Sequence, residues 1–228
     1  LGTRLSDARF DESTGLWHFR TAAGDTLTAR YFVCSTGPLS QPRWPDIPGL
    51  DDFQGLRLHS ARWDHEKKLA GLRVAVIGTG STAVQLVPPI AREAAQLHVF
   101  QRTANWVLPR IERRYFWFDR VLAHFPPYAL AVRAGWVRFL ELGRRGFEDG
   151  TFMRWLNLTL AARQRRIGIA DPALRATLTP DYPLGCKRLI YSNEYYPALS
   201  QPNVSLVTTP IERLTERGIR STDGVERE

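Results

Sequence analysis

Residues 71–83 read GLRVAVIGTGSTA, a short apolar run followed by a glycine turn of the form G-x-G-x-x-A. In such a turn the first glycine allows a tight bend, the second lets the backbone approach a pyrophosphate, and the alanine permits close packing of helix on strand. Because the turn follows a predicted strand and opens a predicted helix, it predicts a dinucleotide-binding site. The residues assigned to this site are Gly78, Thr79, Gly80, Ser81, Thr82 and Ala83.

The residues after the turn complete a β-α-β unit. A helix is predicted over Ser81 to Ala95 and a second strand over Leu97 to Phe100. The length of the crossover requires the two strands to pair in parallel. Pro88 and Pro89 lie inside the predicted helix, where proline removes a hydrogen bond and clashes with the preceding turn, so we expect a kink or an early end.

The end of the second strand indicates which dinucleotide is bound. An NAD site places Asp or Glu about twenty residues after the first glycine, where the carboxylate binds the ribose hydroxyls. Here the strand ends in Phe100-Gln101-Arg102-Thr103, without a carboxylate. Arg102 can hold a 2′-phosphate through charge-assisted hydrogen bonds, which favours NADP(H). The alternative is that Arg102 is an ordinary solvated surface arginine.

The flanking segments predict a mixed α/β protein. Two β-rich runs, Leu16 to Arg20 and Thr26 to Ser35, are joined by the turn at residues 22–25, and a Pro/Gly-rich linker follows over residues 41–55. Residues 105–180 read as mostly helical. Three short β elements follow: Val204 to Val207, Ile211 to Leu214 and Gly218 to Arg220.

The charge of the chain is unevenly distributed. The formal net charge is +8, and the segment from Arg110 to Arg175 holds thirteen arginines against six acidic residues. That segment also carries tryptophan, leucine and phenylalanine at helical spacing, which is typical of amphipathic helices with arginine-rich outer faces. We therefore favour such helices over a nucleic-acid interface and expect no nucleic-acid partner.

The composition is that of a globular protein, with 43% hydrophobic and 24% charged residues. The best apolar run, Val121 to Val132, is broken by prolines and is too short to span a membrane. Cys34 and Cys186 are far apart without metal-ligand spacing, so we expect buried thiols in a reducing cytoplasm and no metal site. The sequons at Asn157 and Asn203 are then chance matches. The start at Leu1 suggests a piece of a longer chain.

A second motif precedes the nucleotide turn. Phe53-x-Gly55-x-x-x-His59-x-x-x-Trp63-Asp64 resembles, at every fixed position, the signature of Baeyer–Villiger monooxygenases. Sister flavin monooxygenases that oxidise amines or sulfides usually carry an aromatic and a basic residue at the last two positions. Three further segments resemble the same family: Gln101 to Trp106 its 2′-phosphate loop, Gly185 to Leu189 its adjacent lysine and arginine, and Ser35-Thr36-Gly37 its Ala-Thr-Gly hinge.

The resemblance implies an FAD- and NADPH-dependent enzyme that uses O₂ to convert ketones to esters or lactones through a flavin peroxide. It implies that Arg188 is the catalytic cation, that Lys187 reaches the NADP phosphate, and that Thr103 adds a hydroxyl to the same phosphate. The family's FAD glycine loop lies outside this chain, so FAD is expected to be bound mostly by regions absent here. The ketone, the regioselectivity and the oligomeric state stay undetermined.

For the signature segment, two interpretations stay open. His59 can hydrogen-bond a linker and so fix how two domains meet, with Trp63 as a packing anchor and Gly55 as a turn residue. The other interpretation is plain structural packing. We assign His59 no acid–base role, although its ordinary pKa lies near neutrality.

The predicted fold class is α/β: a Rossmann-type NADP-binding domain with a helical insertion, flanked by β-rich parts of an FAD-binding domain. The expected organisation is part of the FAD domain at residues 1–50, an interdomain linker at 51–70, the NADP domain at 71–207 with its insertion at about 107–180, and return strands to the FAD domain at 208–228. The alternatives are a heteroatom-oxidising flavin monooxygenase and a non-catalytic NADP-binding module.

Overall fold

A computed structural model describes residues 2–37, 39, 41–112 and 114–228. Leu1, Pro38, Ser40 and Arg113, the last of which was counted in the basic segment, lie outside the described residues. The chain divides into two compact units, Leu1–Trp44 and Pro45–Glu228. Each unit is described by itself.

The first unit is an antiparallel meander of β1 (Leu5–Asp11), β2 (Leu16–Thr21) and β3 (Thr26–Ala29). The predicted turn between β2 and β3 is confirmed: Thr21 N–H donates to the Asp25 carbonyl at 2.9 Å, and Gly24 adopts a φ of +94°. The predicted strand to Ser35 is too long, because β3 ends at Ala29. The described residues contain no neighbouring strand to pair with residues 30–35.

Aromatic side chains cover one face of this meander. Trp17 and Phe19 are two residues apart on β2 and so share a face. Their ring centroids lie 5.2 and 5.1 Å from that of Phe32. Phe10 of β1 joins Trp17 at 5.3 Å. The alternation of large aromatic and polar residues along β2 is thus what gives the meander its apolar side.

The second unit contains the predicted β-α-β unit. Its elements in chain order are β4 (Arg73–Ile77), α1 (Ser81–Glu93), β5 (Gln96–Phe100), β6 (Val107–Leu108), α2 (Trp117–Ala123), α3 (Pro126–Arg144), a 3-10 turn (Arg145–Phe147), α4 (Phe152–Gly168), α5 (Pro172–Thr177), β7 (Ile190–Tyr191), α6 (Tyr195–Leu199), β8 (Val204–Val207), β9 (Ile211–Leu214), β10 (Ile219–Ser221) and β11 (Glu226–Arg227).

The centre of this unit is a parallel sheet in the order β4-β5-β8, as the crossover length predicts. Helix α1 lies against it. Val84 and Val87 of α1 and Leu97 and Val99 of β5 are all fully buried in one cluster. Burial of each such side chain contributes about 1.5–3 kcal/mol, so this apolar contact fixes the helix on the strands.

Helix α1 continues through both of its prolines. The sequence predicts a kink or an early end at Pro88 and Pro89. The early end is wrong, because the helix continues to Glu93. Buried Ile90 and Ala91 follow the prolines and pack in the core. At the far end, Asn203 Nδ2 donates to the Ala91 and Ala94 carbonyls, both at 2.9 Å. Packing and this cap offset the hydrogen bonds that the prolines remove.

Residues between β5 and β8 form the expected helical insertion. Helix α4 packs on the short parallel pair β6–β7, where Trp106, Leu108, Ala161 and Leu184 are buried together. Helix α3 begins at Pro126 and, among the described residues of its length, buries none. No helix in the described part of the chain is both long and apolar enough to cross a membrane.

The C-terminal strands β9, β10 and β11 form a small antiparallel sheet in the second unit. Leu214 and Ile219 of this sheet are buried with Phe100 and Val207 at the ends of β5 and β8. The segment before β4 also joins it, since Leu214 N–H donates to the Pro48 carbonyl at 2.8 Å. The small sheet therefore closes one end of the parallel sheet.

The expectation that both cysteines are buried is wrong. Cys34 and Cys186 are free thiols and both are exposed. Cys34 lies in the irregular segment after β3, and its Sγ is 3.6 Å from Thr36 Oγ1, a contact that lowers the pKa of the thiol. Cys186 closes a tight turn, because its N–H donates to the Pro183 carbonyl at 3.2 Å. Neither position belongs to a packed element.

Replacement of Asn203 tests the cap on α1. In the full-length protein, Asn203→Ala removes two hydrogen bonds and leaves two partly buried carbonyls unsatisfied, so the free energy of unfolding in urea should fall by about 1–3 kcal/mol. Asn157→Ala is the control, because Asn157 makes no side-chain hydrogen bond among the described residues. Equal losses for the two variants would contradict the cap.

Candidate functional site

The glycine turn follows β4 and opens α1. Gly78 adopts a φ of +106°, a conformation that side chains other than glycine rarely accept, and its N–H donates to the Phe100 carbonyl at 3.0 Å. Gly80 is the N-cap of α1, and no side chain in the described part of the chain caps this helix end. Ser81 and Thr82 are exposed, and Ala83 is buried.

The N-terminal end of α1 leaves room for an anion. A Cβ atom placed on Gly78 or Gly80 would meet no atom of the described residues within 4 Å. The space beside both glycines is therefore free of described atoms, and the first-turn amides carry the positive end of the helix dipole. The arrangement fits a pyrophosphate.

Thr79 ties the glycine turn to the loop after β5. Its side chain is buried, and its hydroxyl donates to the Thr103 carbonyl at 3.2 Å. Asn105 Nδ2 donates to the Thr79 carbonyl at 2.6 Å and to Thr79 Oγ1 at 3.3 Å. The turn and the loop are thus one hydrogen-bonded unit at the carboxyl edge of the sheet.

The loop after β5 presents Arg102 to solvent. Gln101 is buried, and its Nε2 donates to the Thr177 carbonyl at 3.3 Å, which anchors the loop on the helical insertion. Arg102 is exposed and makes no ion pair or side-chain hydrogen bond with any described residue. Thr103 is half-buried beside it. Because β4 and β5 end in register at Ile77 and Phe100, Arg102 emerges on the same edge as the glycine turn.

Lys187 is brought to this loop by Tyr182. The Lys187 Nζ lies 4.6 Å from the centroid of the Tyr182 ring. The Tyr182 hydroxyl donates to Asn105 Oδ1 at 3.5 Å, and Trp106 Nε1 donates to the Tyr182 carbonyl at 3.0 Å. The two cations predicted from the sequence, Arg102 and Lys187, therefore belong to segments joined through Tyr182 and Asn105.

Arg188 is placed differently. It is exposed and, among the described residues, forms no ion pair or side-chain hydrogen bond. The side-chain hydrogen bonds that link the glycine turn to the loop after β5 in the described part of the chain do not include Arg188. Its guanidinium is a fixed positive charge, because arginine keeps its proton at any ordinary pH.

Asn105 and Tyr182 have no role predicted from the sequence. Asn105 offered a weak signal, since it lies just beyond the carboxyl end of a parallel strand, where ligand-binding side chains collect. Tyr182 offered none, because it meets Asn105 across 77 residues of chain that include the whole helical insertion.

The signature segment packs against two core clusters. Phe53 packs against the cluster of Phe100 and Leu214, and Trp63 packs against the cluster of α1 and β5. Gly55 has an ordinary φ, and a Cβ there would overlap the Phe53 ring. Close approach of that ring, rather than a special turn conformation, is the reason for glycine at this position.

His59 and Asp64 shape the backbone of the same segment. His59 Nδ1 accepts from the Ala61 N–H at 3.1 Å, and Arg62 N–H donates to the His59 carbonyl at 2.8 Å. Asp64 Oδ1 accepts from the Glu66 N–H at 3.0 Å. Both side chains therefore hold local turns within the second unit.

No group of three or more metal-ligating side chains occurs within the described residues. The arrangement at the carboxyl edge is instead an open helix end flanked by arginine and lysine. An open helix end and nearby cations have the chemistry to hold a phosphorylated, dinucleotide-like anion.

The chain as a whole is similar to known proteins. Residues 8–131, more than half of the chain, match the family described as flavin-binding monooxygenase-like. A protein of Streptomyces coelicolor named Baeyer-Villiger monooxygenase is 45% identical over 217 residues, which cover 93% of this chain and 41% of that protein. The chain spans less than half the length of the curated relatives it matches.

Two solved structures share the fold. Oxidized steroid monooxygenase bound to NADP is 32% identical, with a TM-score of 0.81, and the match covers 99% of this chain and 50% of that one. OTEMO in complex with FAD and NADP is 30% identical, with a TM-score of 0.82 and coverage of 99% and 50%. The α/β class and the Rossmann-type arrangement predicted from the sequence are confirmed.

The packing of Gly55 under Phe53 yields a stability prediction for the full-length protein. Gly55→Ala should lower the free energy of unfolding by about 1–3 kcal/mol, since the new methyl group overlaps the ring. Adding Phe53→Leu should remove part of that overlap, so the double variant should lose less than the two single losses together, as measured by chemical denaturation.

Gly135→Ala on α3 is the matched control, because a Cβ there meets open space among the described atoms. This control should be neutral or stabilising by up to about 1 kcal/mol. Strict additivity of Gly55→Ala and Phe53→Leu would contradict the packing explanation.

Proposed function

The chain belongs to the flavin-binding monooxygenase-like family, and we propose that it is the NADP-binding part of a Baeyer–Villiger monooxygenase. The proposed enzyme uses FAD, NADPH and O₂ to oxidise a small-molecule ketone to an ester or lactone. One observation carries the proposal: the N-terminal end of α1 and the exposed cation Arg102 lie on one edge of the sheet. Relatives and solved neighbours named as monooxygenases supply the reaction class.

The described residues fit NADP(H) in three respects. The glycine turn leaves open space before the first-turn amides of α1, as a pyrophosphate requires. Arg102, Thr103 and Lys187 supply two positive charges and a hydroxyl for a 2′-phosphate. The carboxylate that an NAD site would place at the end of β5 is not there. NADP(H) is therefore the proposed coenzyme.

FAD supplies the oxygen chemistry when it is bound. This chain has one glycine turn of the dinucleotide type, so FAD is proposed to be held mostly by regions beyond it. Arg102, Thr103 and Lys187 bind and orient NADPH. Arg188 is the proposed catalytic residue, a permanent cation that stabilises negative charge developing in the reaction.

The Phe53–Asp64 segment is proposed to connect the NADP-binding and FAD-binding domains. Support comes from its contacts: Phe53 and Trp63 pack in the second unit, and His59 and Asp64 accept hydrogen bonds from backbone amides in its turns. A segment with a fixed shape can transmit a fixed orientation. The free cysteines are consistent with a reducing cytoplasm as the proposed location.

The claim for NADP is tested with Arg102→Ala in the full-length enzyme. Loss of a charge-assisted contact should raise the KM for NADPH about 10- to 100-fold and leave the KM for NADH nearly unchanged, in steady-state assays of coenzyme oxidation. Arg138→Ala, at an exposed arginine of α3, is the control and should change neither value. Equal losses for both coenzymes would contradict the 2′-phosphate role.

The reaction class is tested by product analysis with Arg188→Ala. The wild-type enzyme should convert a ketone to an ester, and the variant should still accept electrons from NADPH while its ester yield falls at least about 100-fold. Flavin absorbance follows the reduction and chromatography follows the ester. An N- or S-oxide as the only wild-type product would favour the heteroatom-oxidising alternative, and undiminished ester from the variant would remove Arg188 from catalysis.

A further inference from the structure

Tyr182 makes three contacts that converge on the coenzyme edge. Its ring lies 4.6 Å from the Lys187 ammonium, its hydroxyl donates to Asn105 Oδ1 at 3.5 Å, and its carbonyl accepts from Trp106 Nε1 at 3.0 Å. The side chain is half-buried, and burial raises the pKa of the phenol.

The backbone between Tyr182 and Lys187 has a defined shape. Leu184 is buried beside Trp106, and a turn closes from the Cys186 N–H to the Pro183 carbonyl at 3.2 Å. Gly185 adopts a φ of +101°, and a Cβ at this position would lie 2.6 Å from the Phe147 ring. The backbone that leads to Lys187 is thus packed at Leu184 and Gly185, while the Lys187 side chain is exposed.

An exposed lysine side chain loses rotamer entropy when it is held in place. In the described residues, the face of Tyr182 is the partner that holds Lys187, since no ion pair or hydrogen bond of its ammonium is present. A cation over an aromatic face is attracted by the ring quadrupole without losing its charge. The ammonium therefore stays available to a second, anionic partner.

On the other side, the Tyr182 hydroxyl reaches the glycine turn through Asn105. Asn105 Nδ2 donates to the Thr79 carbonyl at 2.6 Å, and Thr79 Oγ1 donates to the Thr103 carbonyl at 3.2 Å. One side chain thus connects the lysine, the arginine-bearing loop and the helix end.

We propose that Tyr182 is a positioning residue that sets coenzyme choice: its ring holds the Lys187 ammonium toward the 2′-phosphate of NADPH, and its hydroxyl holds Asn105 against the glycine turn. The inference rests on the proposed function and deepens it. The ring acts only on the coenzyme that carries the extra phosphate. The hydroxyl acts on the turn that both coenzymes share.

The test uses the full-length, FAD-loaded enzyme and compares Tyr182→Leu, Tyr182→Phe, Lys187→Met and the Tyr182→Leu/Lys187→Met double variant. The readouts are KM and kcat for reduction of the bound FAD by NADPH and by NADH. Tyr182→Leu should raise the KM for NADPH about 3- to 30-fold and leave kcat nearly unchanged. Tyr182→Phe keeps the ring, so it should retain the preference for NADPH and weaken both coenzymes equally.

The double variant decides whether Tyr182 acts through Lys187. In the Lys187→Met background, Tyr182→Leu should have no further effect on the ratio of the two KM values. Fully additive effects on that ratio would overturn the proposal. Tyr191→Leu, at an exposed tyrosine of β7, is the control and should leave the ratio unchanged.

A shape-conserving series covers the case in which Tyr182→Leu folds poorly. Stepwise fluorination of the ring in Tyr182→Phe weakens the quadrupole with little change in size, so the NADPH affinity should fall with each added fluorine while NADH affinity stays level. A flat NADPH response would overturn the proposal. Failure of the proposed function looks different: the wild type would show no NADPH preference, or Arg102→Ala would leave that preference intact.

Discussion

The parallel pairing of β4 with β5 is the constraint on which the site depends. The strands pair residue by residue from Arg73 with Gln96 to Ile77 with Phe100, so both chains leave the sheet at the same edge. The glycine turn and the arginine loop are therefore neighbours before any side chain contributes. The hydrogen bonds of Thr79 to Thr103 and of Asn105 to Thr79 then fix their spacing. A shift of the register by one residue would also turn Leu97 and Val99 out of the core. The lost apolar burial disfavours any other register.

The helical insertion contributes to the site through the segment with which it ends. It leaves after β5 and comes back with Tyr182 and Lys187 beside the loop from which it departed. The insertion packs on the rest of the unit around Trp106, which is buried together with Leu184. The guanidinium of Arg165 lies over the Trp106 ring, 5.4 Å from its centroid. The residues proposed to recognise the phosphate end of a coenzyme thus come from both the Rossmann core and the insertion.

The sequence predicted the parts of this structure that local patterns determine. The β-α-β unit follows from an apolar strand, a glycine turn and a helix whose apolar face is buried, and all three lie within 30 residues. Local rules failed where distant packing decides: α1 runs through Pro88 and Pro89 because the core and Asn203 hold its second half. Burial of Cys34 and Cys186 was inferred from residue type alone, and both thiols are exposed. The contact of Tyr182 with Asn105 joins residues 77 positions apart, which no local pattern encodes.

The role of Asn203 has a consequence for how the protein can be produced. The residue begins an Asn-Val-Ser sequon, and both hydrogens of its amide face carbonyls at the end of α1. A sugar attached to that nitrogen would replace one of these hydrogens and place a bulky group between the helix and β8. In a glycosylating secretory pathway, folded molecules would therefore carry this sequon unmodified. Chains modified at Asn203 would fail to complete the parallel sheet.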